Sequence, residues 1–236
     1  MTTTERYSRQ RDIVPAERIA GCRATIIGVG AIGRQVALQL TAMGIPWLQL
    51  IDFDVVETSN LASQGYLEED LGKLKVDATA ALCRRINSGA DITCVPERFR
   101  RSMEIGNAVS CCVDSIDVRR LIWEAVKDSV SFYVDGRMSA ETLRVLTACD
   151  SPSRQHYPTT LFRTEEAFVG PCTAKTTIYC ANIAAGLMVA QFTKYLRQLP
   201  MEADIQLNLL ASELSVGGFL FSFHRSPFFW LRSFFS

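Results

Sequence analysis

The stretch TIIGVGAIGRQVALQLTAMGIPWLQLIDFDVVETSNLASQGYLEEDLGKLK, residues 25 to 75, decides the fold. It opens with an apolar strand, turns through Gly28, Gly30 and Gly33, and enters a helix. A second apolar strand, Trp47 to Ile51, follows and ends at Asp52. Strand, glycine turn, helix, strand and acid, in that order, describe a nucleotide pocket in physical terms. Gly28 permits the tight turn, Gly30 lets the backbone approach phosphate oxygens without a Cβ in the way, and Gly33 lets the helix pack closely on the strand. The N-terminus of that helix offers unpaired N–H groups to an anion. Asp52 stands nineteen residues beyond Gly33, where a carboxylate can bind ribose hydroxyls.

Such a pocket does not choose between NAD, FAD and ATP. The residues after Asp52 narrow the choice: Asp54, Asn60, Gln64 and the run Gly72-Lys-Leu-Lys75. An oxidoreductase has little use for a second acid, an Asn-Leu pair and a lysine, whereas an enzyme that handles a triphosphate has. Lys75 supplies a point charge able to neutralise phosphate in phosphoryl chemistry. Taken alone, it reads rather as a solvated lysine at a helix start.

At this point the chain resembles a family, the ThiF/MoeB/HesA group of adenylating enzymes related to ubiquitin-activating enzymes. The resemblance runs from Arg6 to about Val216 and rests on five motifs in order: Arg6-Tyr-Ser-Arg9-Gln10, GVGAIG with Ala31 in place of a usual glycine, DFDVVETSNL, GKLK and Val113-Asp114-Ser115-Ile116-Asp117. It implies ATP-dependent adenylation of the C-terminal glycine carboxylate of a small ubiquitin-like, β-grasp protein. The products would be an acyl-adenylate and pyrophosphate, for sulfur transfer or protein conjugation. Carried over by residue, Gly28, Gly30, Ala31 and Gly33 form the phosphate-facing turn and Asp52 binds ribose. Asp54 lies near the phosphates or metal, and Asn60, Gln64 and Lys75 contribute to the triphosphate site. Asp117 coordinates Mg²⁺, and Arg9 reaches across a homodimer interface to the partner's γ-phosphate. The N-terminal residues 1–20 are then a helical arm at that interface.

Three departures stand out. Ser63 occupies the position of the arginine in the family's SNLxRQ segment, so one phosphate-binding charge is missing. Eight cysteines include no CxxC, only the adjacent Cys111-Cys112, so the zinc site of many relatives is not expected. Cys172 is expected to open the last long helix, where a helix start lowers a thiol pKa. The resemblance implies either a thioester or persulfide role there, as in some relatives, or adenylation with no covalent cysteine step. Cys180 and the remaining cysteines read as small buried hydrophobes.

The 236 residues, 48% hydrophobic with zero formal net charge, suffice for one sizeable α/β core and give no field to recruit nucleic acid. Cysteines without a signal peptide read as reduced thiols, and the expected location is cytoplasmic. The remaining pattern predicts a helix over 70–87 with Val76, Ala80, Leu82 and Ile86 inward. It predicts strands over 92–96 and 108–113, the latter central and parallel. A helix over 118–126 and a strand over 131–134 ending at Asp135-Gly136-Arg137 follow. Arg137 has a site role or forms a surface ion pair. A strand over 143–149 returns antiparallel, 150–169 is a loop over the site, 174–196 is the last helix, and 205–210 is a final strand. Together these make a doubly wound, mainly parallel Rossmann-like sheet with helices on both faces and extra C-terminal strands, the ligand lying beyond the strands' C-terminal ends.

The ThiF-type domain is expected over 1–216, followed by a tail over 217–236. The tail holds seven of thirteen phenylalanines, one tryptophan and no acid. Such a segment can mark a protein or membrane contact, but packing on the protomer or its dimer partner is the reading adopted. His156 and His224 read as surface or packing residues. Two further functions stay open: a catalytically reduced partner subunit, which the missing arginine suits, and an NAD-dependent oxidoreductase, which leaves Asn60, Lys75 and Asp117 without work.

Overall fold

The protein, a computed structural model, is described for residues 3–162 and 177–217. Among the described residues eight helices lie in chain order: α1 Thr3–Arg6, α2 Ala16–Ile19, α3 Ala31–Met43, α4 Thr58–Gln64, α5 Lys75–Ile86, α6 Ile116–Val126, α7 Ser151–His156 and α8 Ile178–Leu196. The strands are β1 Arg23–Ile27, β2 Trp47–Ile51, β3 Asp91–Val95, β4 Ala108–Cys111, β5 Phe132–Ser139, β6 Thr142–Ala148, β7 Asp204–Asn208 and β8 Glu213–Gly217. They form one sheet in the order β3-β2-β1-β4-β5-β6-β7-β8. The first five are parallel, and β6, β7 and β8 continue the sheet antiparallel.

β1 and β4 are neighbours, and the chain winds outward from them in both directions. That reversal opens a crevice at their C-terminal ends, the place where doubly wound sheets bind ligands. β4 is buried at all four residues, as a central parallel strand should be. One face of the sheet is covered by α3, α5 and α8 around Ile26, Val36, Leu48, Val134 and Met188. The other is covered by α6 and the segment after α7, around Ile122, Trp123, Tyr133 and Tyr157. The aromatic contacts Trp123–Tyr157 and Tyr133–Tyr157, with ring centroids 4.7 Å and 5.0 Å apart, fill that second layer.

Several expectations need correction. The helix expected from residue 70 begins at Lys75, because Gly72 takes φ +79° and Leu74 bridges to Val55. Its inward residues include Thr79 and Cys83, while Leu82 and Ile86 are only half-buried. Asp135 and Arg137 do not end a strand: β5 runs through both to Ser139 and pairs with β6 along its length. Residues 151–160 are α7 and a 3-10 turn rather than loop. Asp150 Oδ1 accepts the Ser153 N–H at 2.9 Å, and Pro152 occupies the first turn, so the segment carries its own helix start. The strand expected last, over 205–210, is β7 at Asp204–Asn208, and it turns back into a further strand, β8. The last described helix starts at Ile178 after an extended Thr177, and Cys172 lies outside the described residues. Residues 218–236 of the aromatic tail also lie outside them.

Candidate functional site

β1 ends at Ile27, and Gly28 turns the chain with φ +86°, its N–H donating to the Ile51 carbonyl at 2.9 Å. A Cβ on Gly28 would stand 2.8 Å from the Cys112 carbonyl carbon, so the turn and the loop after β4 are in contact. Gly33, inside the first turns of α3, faces back onto Gly28; a Cβ there would overlap the Gly28 carbonyl and stand 3.2 Å from Cys112 Cβ. Gly30 behaves differently. It precedes α3, and among the described residues a Cβ on it would meet nothing closer than Gln64 Oε1 at 3.8 Å. The space before Gly30 that the described residues leave open, beside the first amides of α3, suits a phosphate that approaches the backbone closely. Gln64 Oε1, buried without a hydrogen bond among the described residues, borders that space. Ala31 is the first residue of α3, and half-buried.

Asp52 holds this turn in place. Its Oδ2 accepts the Val29 N–H at 2.6 Å and its Oδ1 accepts the Asp54 N–H at 2.9 Å. Each carboxylate oxygen keeps a further lone pair for a ribose hydroxyl. Lys75, at the start of α5, is brought to the same place by backbone pairing: its N–H donates to the Asp54 carbonyl at 2.9 Å. Its ammonium reaches Asp54 Oδ2 at 2.9 Å. The lysine side chain is 8% exposed and that of Asp54 47%, so a largely covered cation faces solvent through one half-open carboxylate. An arriving phosphate can compete for that ammonium without uncovering it.

Other expected residues are placed elsewhere. Asn60 caps its own helix, Oδ1 accepting the Glu57 N–H at 3.0 Å. Ser63 donates to the Ser59 carbonyl at 2.9 Å and puts no charge on α4. Asp117 does not end a strand: β4 stops at Cys111, and Asp117 is in the first turn of α6, 61% exposed. Its Oδ1 pairs with Arg120 Nη1 at 2.8 Å, and Arg120 also donates to the Phe162 carbonyl at 2.9 Å. Arg9 is exposed on the N-terminal arm. That arm docks at the far end of α3, where Tyr7 packs against Gly44 and Gln10 donates to the Met43 carbonyl at 2.7 Å. A thirteen-residue helix, roughly 20 Å long, separates Arg9 from its own glycine turn.

Two supporting residues escaped the sequence reading. Tyr66, buried, donates to the Val29 carbonyl at 2.6 Å and so braces the glycine turn from behind. Burial raises its phenol far above the usual value. Arg34, 2% exposed, lies 4.6 Å above that ring, and burial lowers its pKa from the ordinary value. The Asp135–Arg137 pair is also more than a surface contact: Asp135 is fully buried, and Arg137 Nε reaches it at 2.9 Å.

For Mg²⁺, the donor chemistry fits in a limited form. No three His, Cys, Asp or Glu side chains converge on a metal position among the described residues. One or two carboxylates at the mouth of a phosphate turn suit a magnesium ion carried mainly by nucleotide phosphates.

Comparison with known proteins agrees with this geometry. The ThiF family profile matches residues 7–218. The chain is 42% identical over 136 residues to bovine adenylyltransferase and sulfurtransferase MOCS3, covering 51% of this chain and 29% of that protein. It is 32% identical over 143 residues to the sulfur carrier protein ThiS adenylyltransferase of Bacillus subtilis, covering 55% and 43%. The chain therefore spans less than half the length of either relative. Among solved structures, PaaA superposes with TM-score 0.76 at 20% identity, covering 92% of this chain and 74% of its own. E. coli MccB, in a structure with MccA-N7isoAsn, superposes with TM-score 0.76 at 17% identity, covering 92% and 72%. Both show the same fold.

Proposed function

Since the chain belongs to the ThiF family, we propose that it activates a C-terminal carboxylate with ATP. The substrate is the C-terminal glycine of a small ubiquitin-like protein; in support, one relative is named for adenylating the sulfur carrier protein ThiS and another, from Haloferax volcanii, for activating SAMP. A carboxylate oxygen attacks the α-phosphorus, the bond from that phosphorus to the bridging oxygen breaks, and pyrophosphate leaves with the electron pair. The acyl-adenylate then serves sulfur transfer or conjugation.

The observation that carries the reading is the covered Lys75 ammonium, held at the glycine turn by one half-open acid. A buried cation with a replaceable partner is suited to binding and neutralising a polyphosphate. In this reading Asp52 orients the ribose, the amides following Gly30 face the phosphates, and Gln64 borders them. Asp117, with Asp54 nearer the turn, would hold Mg²⁺, which screens phosphate charge. Arg9 lies too far from its own turn to serve it, which supports a dimer in which each arm completes the partner's site. Cys172 remains a candidate for a covalent step.

One observation favours a second reading. Ser63 bonds within its own helix and puts no cation on α4, which suits a catalytically reduced subunit that binds nucleotide weakly.

Calorimetric titration of the purified protein with MgATP and with NAD tests the proposal. It is followed by ATP–pyrophosphate exchange with a small protein ending in glycine. MgATP binding with exchange is expected. MgATP binding without exchange for any such carboxylate favours the reduced subunit, and NAD binding without ATP binding overturns both readings.

A further inference from the structure

The apolar sheet face that α8 covers does not end where α8 ends. Antiparallel partners stand opposite one another and share a face. Leu143, Leu207 and Leu214 are such partners across β6, β7 and β8, and so are Val145, Ile205 and Val216. Each row begins in the core against α8, where Leu143, Val145 and Ile205 are buried. Each row ends in solvent: on β8, Leu214 is 63% exposed and Val216 57%. Glu213 and Ser215 fall on the other face of the strand. Among the described residues β8 ends the sheet, and no strand pairs with its outer edge. An apolar strip thus lies beside a row of unpaired backbone groups, the combination that accepts another strand.

We propose that the occupant is the chain's own continuation. Residues 219–223, which lie outside the described residues, add to the free edge of β8 as a ninth strand, with Phe219, Phe221 and Phe223 on the side of Leu214 and Val216. The segment is separated from Val216 only by Gly217, the last residue of β8, and Gly218. Two glycines between two strand-like runs are a favoured hairpin connection. With that connection Val216 opposes Phe219 and Leu214 opposes Phe221, so both pairs are apolar on the face that needs covering. Leu220, Ser222 and His224 then share the face of Glu213 and Ser215. A slip of one residue would set phenylalanine opposite serine, so the pattern selects one register. A partner protein or a second copy on this edge would leave the alternation at 219, 221 and 223 without a cause. The placement is independent of the nucleotide reading.

Amide hydrogen exchange of the full chain, read by mass spectrometry, tests the proposal in wild type, Phe221→Glu and Phe234→Glu. Both variants make the same change of charge, and only the first falls in the proposed strand. In wild type the amides of 219–223 should exchange about tenfold or more slowly than those of an unstructured chain, whatever the protein concentration. Phe221→Glu should abolish that protection and weaken it over 213–217, while Phe234→Glu changes neither. Exchange of 219–223 at the unstructured rate in wild type overturns the proposal, and so does an equal loss in both variants. Protection that disappears on dilution, as light scattering shows the mass falling, gives the edge to a second copy and overturns it too. Should Phe221→Glu fail to fold, Phe221→Ser is read in the same way.

Discussion

Replacing Lys75 by methionine separates the binding role of this residue from its part in folding. Methionine keeps an unbranched stem of similar reach, so the packing at the start of α5 is retained. What is lost is one ammonium whose recorded partner, Asp54, is 47% exposed and free to rehydrate. A pair with one half-open partner contributes about 0–1 kcal/mol, so the unliganded variant should melt close to wild type. The nucleotide term is larger. Losing a charge-assisted contact costs about 1.5–3 kcal/mol, a loss of roughly 12- to 150-fold in affinity. With MgATP at a hundred times the wild-type dissociation constant, wild type gains about 2.7 kcal/mol. The variant then gains about 0.3–1.3 kcal/mol by the same relation. At about 2–4 °C per kcal/mol for a domain of this size, the shift drops from about 5–11 °C to about 1–5 °C. Differential scanning fluorimetry with and without MgATP reads both quantities. An undiminished MgATP shift in Lys75→Met would refute the phosphate role, and a large loss of unliganded stability would show that the lysine is structural.

Gly33→Ala should destabilise the protein even though alanine in a helix interior is worth about 1 kcal/mol over glycine. The added Cβ overlaps the Gly28 carbonyl and crowds Cys112 Cβ at 3.2 Å, and forced overpacking costs about 1–3 kcal/mol or more. Thermal melts showing equal or greater stability would contradict the close packing described. Asp204 supplies a pH test. Burial favours its protonated form, but hydrogen bonds from Arg144 and His156 outweigh this and hold its carboxyl below the usual value. Its contribution is thus complete above about pH 4, the unfolded value, and is lost as pH falls through the lower folded one. In urea unfolding, the gap between wild type and Asp204→Asn should be constant from pH 7 to 5 and shrink below about pH 4; a gap unchanged at pH 3 contradicts the pairing.

The parts of the fold that were readable are those where one physical rule acts alone. β2 was expected at Trp47–Ile51 and lies there, because an apolar run between a turn and an acid has little else to become. β4 was expected central and parallel for the same reason, and it is. Errors arose where a polar residue is satisfied by something distant in sequence. Asp135 looked like the end of a strand because a carboxylate inside a sheet is costly; two arginines, one from α6, remove that cost. Thr79 was not counted as inward because it is polar, yet it lies 3.2 Å from the buried Tyr66 hydroxyl. In each case the partner is set by the tertiary fold, and a periodicity count has no access to it. β8 escaped for the opposite reason: all five of its residues are exposed, so no buried face imposes an alternation.

The site was readable in composition more than in arrangement. Motif order places Arg9, Asp52, Lys75 and Asp117 in one chemical argument, but the fold distributes them over three places. Asp52, Asp54 and Lys75 meet at the glycine turn through short-range bonds. Asp117 stands in the first turn of α6, paired with Arg120. Arg9 belongs to an arm anchored at the opposite end of α3. Backbone pairing of 54–56 with 72–75 explains the first group: Lys75 and Asp54 are adjacent because the chain between them closes on itself. Nothing so local connects the other two to the turn. For Arg9 a single chain offers no route at all, since α3 is rigid and roughly 20 Å long. If the arginine acts in the reaction, it acts on a second copy of the chain.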